Sequence, residues 1–216
     1  MIVLLFGPPG CGKGTQSAFI AESLRVPAIS TGEMFRAESA SGSELGKLVS
    51  SIMASGGLVS DDVVNQVVAS RLSKPDCQRG FLLDGYPRTV AQAQFLTGLL
   101  NQRGLPAPVV IHIDVPDEVL VARLTARRQC PQCGRIYNLL HQPPKTEGKC
   151  DADGATLVRR KDDCETVIRE RLAAYQKLSS PLIDYYRNGE YHRIDGNRNP
   201  ADIAKEIEAA LGVSAR

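Results

Sequence analysis

Tryptophan is absent from this chain, and aromatic residues make up only 5% of its 216 positions. Binding to single-stranded nucleic acid needs aromatic stacking platforms in a basic groove. With a net charge of only +2, the sequence provides neither, and no nucleic-acid partner is expected. No apolar run approaches the ~18 residues that span a bilayer, so no membrane partner is expected either. Met1 leads directly into the apolar run 2–6 with no basic leader and no small-residue cleavage site. The expected location is therefore the cytoplasm. In that compartment the six cysteines read as metal ligands or free thiols and not as disulfides. Histidine is also scarce, at three residues. His112 and His192 fall in or near apolar strand patterns, where packing is the expected role.

What is present is an alternation of strand and helix patterns. Apolar runs suited to buried parallel strands occur at 2–6, 26–29, 81–83, 109–115 and 191–194,. Helical patterns are expected at 14–24, at 60–72 with Ser60 as cap, and from Thr89 onward with Ala91, Phe95 and Leu99 on one face. Further helices are expected at 117–128, from about 163 with an interruption at Pro181, and at 200–211. The expectation is an α/β protein with a P-loop and a doubly wound five-stranded parallel sheet. Residues 1–29, 60–125 and 164–216 form the core. Segments 30–59 and 126–163 break the rhythm and read as two insertions over the sheet rim. The length suits one core with insertions and not two full domains.

The stretch GPPGCGKGTQ at 7–16 follows a strand and opens a helix. Glycines there let backbone N–H groups face phosphate oxygens, and the helix N-terminus adds positive potential. Lys13 would reach the β- and γ-phosphates. The usual hydroxyl position holds Gly14, and the hydroxyl arrives at Thr15. A second signal is FLLDGYPR at 81–88. Asp84 ends a strand that emerges beside the first loop, where a carboxylate can hold Mg²⁺ through water. Arg88 follows on the same rim. From Arg123 to Lys161 nine Lys or Arg stand against three acids, with arginines suited to bidentate phosphate contact.

Within that cationic stretch Cys130-Pro-Gln-Cys133 is followed, after sixteen residues, by Cys150-Asp-Ala-Asp153. The spacing matches a zinc ribbon with one thiolate replaced by a carboxylate. A structural zinc held by Cys130, Cys133, Cys150 and Asp153 is expected. Asp151 and His141 are the competing donors, with poorer spacing. Iron or cobalt would suit the same ligands.

These residues together resemble the adenylate kinase family: GPPGCGKGTQ, TGEMFR at 31–36, FLLDGYPRT with Gln92, CGRIY at 133–137 and RRKDD at 159–163. The match runs in order over nearly the whole chain and looks like the form with a long, metal-carrying lid. Gly14-Thr15 is normal for that family. The resemblance implies reversible phosphoryl transfer from Mg²⁺-ATP to AMP, giving two ADP, by a monomer. It makes 30–59 the nucleoside-monophosphate-binding insertion and 126–163 the lid. By position, Gly10, Cys11, Gly12, Lys13, Gly14 and Thr15 would cradle the ATP phosphates. Arg127, Ile136 and Tyr137 would face ATP from the lid, and the main chain of Arg198 would meet its adenine. Thr31, Arg36, the main chain of Gly57, Leu58 and Val59, then Gly85, Tyr86, Pro87, Arg88 and Gln92 would hold AMP, with Gln92 reading the base. Arg123, Arg160 and Arg171 would gather around the transferring phosphoryl, the last two also touching AMP. Lys13, Arg88 and Asp84 complete the catalytic set. Asn138 stands where relatives usually carry histidine.

Two other readings compete. A kinase for UMP or CMP would share the loop but usually lacks the long lid. A zinc-ribbon nucleic-acid binder with an ATP switch would need a basic, aromatic surface outside the lid, which the composition does not supply.

Overall fold

The computed structural model describes residues 1–54 and 59–213. Five parallel strands form the central sheet: β1 (Ile2–Phe6), β2 (Ala28–Ser30), β3 (Phe81–Asp84), β4 (Val109–Asp114) and, at the end of the chain, Tyr191–Asp195. Two further short strands, β5 (Arg127–Gln129) and β6 (Ile136–Asn138), precede that last one, which is therefore β7. The sheet order is β2-β3-β1-β4-β7. β1 is wholly buried because its side chains feed both faces. Ile2, Leu4 and Phe6 join one apolar cluster, and Val3 and Leu5 join the other. That explains a continuous apolar run where a half-exposed strand would alternate.

Around the sheet lie α1 (Lys13–Leu24), α2 (Thr31–Ser41), α3 (Glu44–Ala54), α4 (Asp61–Leu72), α5 (Val90–Gln102), α6 (Asp117–Thr125), α7 (Glu165–Ala174), α8 (Pro181–Tyr186) and α9 (Pro200–Ala210). α2 is capped by the Ser30 hydroxyl, which accepts from Glu33 N–H, and α5 by the Thr89 hydroxyl, which accepts from Gln92 N–H,. α7 and α8 are joined by one wide turn, Tyr175–Ser179, closed by Ser180 N–H donating to Tyr175 C=O,. No helix among the described residues is long and apolar enough to cross a membrane.

Two expectations need correction. The 117–128 helix ends at Thr125, and Arg127 begins a strand paired antiparallel with β6. α5 buries Gln92, Ala93, Leu96 and Leu100, while Phe95 is exposed. Residues 93, 96 and 100 satisfy helical spacing as well as 91, 95 and 99 do. The tie is decided by the sheet, which takes up Leu96 and Leu100. Ser60 is the N-cap residue of α4 as expected, but its hydroxyl makes no cap bond. The Asp61 carboxylate instead accepts from Thr89 Oγ1 and from Gln92 Nε2. That ties α4 to the start of α5.

The parallel registers set Leu5 beside Asp84 and Phe6 beside His112. The loops leaving β1 and β3 therefore open on the same rim, where α/β sheets bind ligands. His112 is buried, bonded to the Tyr191 hydroxyl at Nδ1 and to the Tyr175 hydroxyl at Nε2. Burial holds it neutral, with a pKa lowered to about 4. Its role is packing under the rim, as its place in the strand pattern suggests.

Candidate active site and metal centre

The loop after β1 needs its glycines for two separate reasons. Gly7, Gly10 and Gly12 have φ of 145°, 87° and 104°, in the range that side chains resist. A Cβ on Gly7 would also lie 2.4 Å from Ile113 O. By contrast a Cβ on Gly12 or Gly14 meets nothing within 4 Å, so that side of the loop is open to a ligand. Thr15 is exposed in the first turn of α1, and its N–H donates to Gly12 O. Lys13 folds back over the loop: Nζ donates to Gly7 O at 2.7 Å and to Pro8 O at 2.9 Å. It also lies 3.6 Å from the Cys11 thiol. Burial raises the thiol pKa against the pull of Lys13, so Cys11 acts as a small apolar floor.

Asp84 faces this loop from the end of β3. Burial raises its pKa, and the charges of Lys13 and Arg88 oppose that rise. Immediately beyond it Gly85 C=O accepts from Thr31 Oγ1 at 3.0 Å and from Arg88 Nε at 2.8 Å. Tyr86 is buried, with its hydroxyl donating to Asn65 Oδ1, and the Tyr86–Pro87 peptide is cis. Gln92 is also buried, with one protein bond at each end of its amide. Its Oε1 accepts from Arg88 N–H at 2.7 Å, and its Nε2 donates to Asp61. In this structure Gln92 braces the Arg88 loop. Val59 is buried; Gly57 and Leu58 lie outside the described residues.

Five arginines converge opposite the loop: Arg36, Arg88, Arg127, Arg160 and Arg171. Burial lowers the pKa of Arg36, Arg88, Arg160 and Arg171, and repulsion within the group lowers each further. Arg88 and Arg160 are each brought to about 10. Two acids that the sequence reading left without a role hold the cluster together. Asp163 is 0% exposed and bound bidentately by Arg127, at 2.8 Å from Nε and 2.5 Å from Nη2. Asp162 accepts from Arg171 at 2.8 Å. The signal was available in RRKDD, because guanidiniums this close need counter-charges on the same segment.

Arg123 lies elsewhere. Its Nη1 donates to Gly196 O at 3.0 Å, at the segment that carries Arg198. The Arg198 side chain pairs with Glu206 and donates through Nε to Asp195 O. The structure therefore brings Arg127 into the cluster and leaves Arg123 outside it. β6 splits its two expected ATP residues: Ile136 is exposed, while Tyr137 is buried. The Tyr137 hydroxyl accepts from Asp151 N–H at 2.7 Å and lies 3.4 Å from Cys150 Sγ. Asn138 closes the following turn, its Oδ1 accepting from Leu140 and His141 N–H.

A protein-family model described as adenylate kinase matches residues 5–191. The chain belongs to the adenylate kinase family. An adenylate kinase of Anaeromyxobacter dehalogenans is 46% identical over 213 residues, covering 98% of this chain and all of the relative. Adenylate kinases of Archaeoglobus fulgidus and Thermosipho melanesiensis are also 46% identical, over 212 and 208 residues. They cover 98% and 96% of this chain, and 98% and 97% of their own lengths.

One further centre in this adenylate kinase family member is the cluster of Cys130, Cys133, Cys150 and Asp153. Their donor atoms all lie within 4.8 Å of one another. Cys133 and Cys150 Sγ are 3.5 Å apart, and Cys130 Sγ lies 3.2 Å from Asp153 Oδ2. The sulfurs are free thiols and not a disulfide. Ligands at ~2.3 Å around a tetrahedral ion would be about 3.8 Å apart, so the cage has the right size. Cys133 N–H donates to Cys130 Sγ, and Ala152 N–H to Cys150 Sγ. Such bonds suit thiolates, and the donor set fits a structural zinc. Asp151 is turned away to accept from Lys145 N–H. Among the described residues His141 is not part of the group.

Proposed function

We propose that the arginine cluster and the glycine loop are the two halves of the site at which this enzyme transfers a phosphoryl group between Mg²⁺-ATP and AMP, giving two ADP. The observation that carries this reading is the convergence of five buried or half-buried guanidiniums on a rim that also presents the open face of the loop. The second phosphate pKa of AMP lies near ~6, so the nucleophile is already ionised at neutral pH and needs no general base. The difficulty is repulsion between two polyanions, which fixed cations relieve most in the transition state. Mg²⁺ arrives with ATP and supplies charge neutralisation on the donor phosphates, and Asp84 is the carboxylate we assign beside it.

In this reading Lys13 leaves its two carbonyl partners for the ATP phosphates. Arg36 and Arg88 take the AMP phosphate, with Thr31 and the Gly85–Pro87 turn lining its site. Arg127, Arg160 and Arg171 meet the phosphoryl in flight. Arg123, Gly196 and Arg198 form the adenine end of the ATP site. We assign the segments 30–59 and 126–163 to the two flaps whose closure excludes water, the competing acceptor. The test is ADP formation from ATP with AMP, UMP, CMP or GMP in a coupled assay. AMP is expected to give the highest kcat/KM by at least ~100-fold, well within the ~10⁴–10⁵-fold that a site hydrogen-bonded to its substrate can reach. Equal rates with UMP or CMP would overturn the assignment to AMP.

We also assign a structural zinc to Cys130, Cys133, Cys150 and Asp153. Among the described residues only Leu157, Ala155 and Tyr137 join the two buried cysteines in this segment's apolar cluster, too little burial to order it alone. About one zinc per chain should co-purify. Chelation should expose 126–163 to proteolysis while the sheet stays protected. Metal-free protein with an unchanged cleavage pattern and melting temperature would refute the assignment.

A further inference from the structure

Gln129, the last residue of β5 before the first cysteine, is left unassigned by every role given above. We propose that it is a positioning residue for Arg160, an uncharged bracket that fixes this guanidinium to the metal knuckle while leaving its charge unspent. The inference rests on the reading of Arg160 as a phosphate-contacting group.

Three bonds carry it. Gln129 Oε1 accepts from Arg160 Nε at 2.6 Å. Gln129 Nε2 donates to Gly134 O at 3.3 Å, on the residue that follows Cys133. A guanidinium can only donate and a carbonyl can only accept, so these two partners together fix which end of the amide is which. The backbone adds a third link. Gln129 N–H donates to Val158 O at 2.8 Å, and Val158 N–H returns the bond to Gln129 O at 2.9 Å. Val158 lies two residues before Arg160, so one residue holds that arginine by its side chain and by its strand.

The chemistry of the bracket separates Arg160 from its neighbours. Arg127 and Arg171 are held by carboxylates, which neutralise much of the charge they hold. Among the described residues Arg160 has no ion pair, and the side-chain partner that fixes it is a neutral amide. An amide oxygen orients a guanidinium without cancelling its field, which keeps the full charge for a phosphate. Because Gly134 belongs to the turn closed by Gly134 N–H on Cys130 O, the bracket also makes the position of Arg160 depend on the shape of that turn.

The experiment is a double-mutant cycle of Gln129→Leu and Arg160→Ala, with zinc content and melting temperature measured on every variant. Gln129→Leu is expected to lower kcat about tenfold, the scale of one hydrogen bond to a charged group. KM for ATP should stay within about twofold, with zinc content and melting unchanged. In the Arg160→Ala background the same change should add less than about twofold, because its target is gone. Three results would overturn the proposal: Gln129→Leu near parental kcat while Arg160→Ala is crippled, an undiminished Gln129→Leu loss on top of Arg160→Ala, or a loss that follows zinc release. Parental kcat in Arg160→Ala would instead sink the reading of Arg160 itself, and the proposal with it.

Discussion

Arg88→Ala is expected to lower kcat/KM for AMP by about 10²–10³-fold, the cost of removing a fixed donor to developing charge, while KM for ATP moves by less than about twofold. Arg88 is held by neutral partners. Its Nε donates to Gly85 O, its N–H is held by Gln92 Oε1, and its C=O accepts from Ser179 Oγ at 2.9 Å. Among the described residues no carboxylate pairs with it. Burial and the charges of Arg171 and Arg36 bring its pKa down to about 10. Steady-state kinetics with each nucleotide varied in turn checks this. A larger rise in KM for ATP would exchange the two sites.

Asp163→Ala is expected to cost about 3–5 kcal/mol of stability, the range for breaking a buried pair by removing one partner. The melting temperature of a chain this size should fall by roughly 6–20 °C. The loss has two parts. Arg127 forfeits both bonds at once, and Arg171, 3.7 Å from the same carboxylate, loses a second counter-charge. Thermal unfolding followed by circular dichroism is the measurement. A shift under about 2 °C would mean that the junction of β5 with α7 is held by something other than this pair.

The glycine loop could be read from sequence because its demand is local: a tight phosphate cradle requires positive φ at fixed spacing, and Gly7, Gly10 and Gly12 supply it. The cysteine cluster was equally legible, since knuckle spacing is a property of the chain itself, and the structure selects Asp153 over Asp151. The sheet was legible because its inner strands β1, β3 and β4 are buried on both faces. What could not be read was direction. Arg123 and Arg127 are one helical turn apart and would share a face if the helix ran to 128. The helix stops at Thr125, the backbone turns into β5, and only Arg127 swings toward Asp163 and the arginine cluster. Tyr137 and Ile136 part company for the same reason, since neighbours in a strand point to opposite sides. The bracing of Gln92 could not be read from the sequence either. Its partners, Asp61 and the Arg88 backbone, lie 31 and 4 residues away.

The wide turn between α7 and α8 has a geometrical consequence. Each residue of an α-helix advances about 100°, so the eight steps from Arg171 to Ser179 would overshoot two full revolutions by roughly 80°. One loosened coil absorbs most of that excess and returns both residues to the same azimuth, one reaching Asp162 and the other the backbone of Arg88. The wide turn therefore takes up one surplus residue without changing the direction in which the second half faces,. A chain shorter by one there would need no such turn, because seven steps of a regular helix come to about 700°, within roughly 20° of two revolutions.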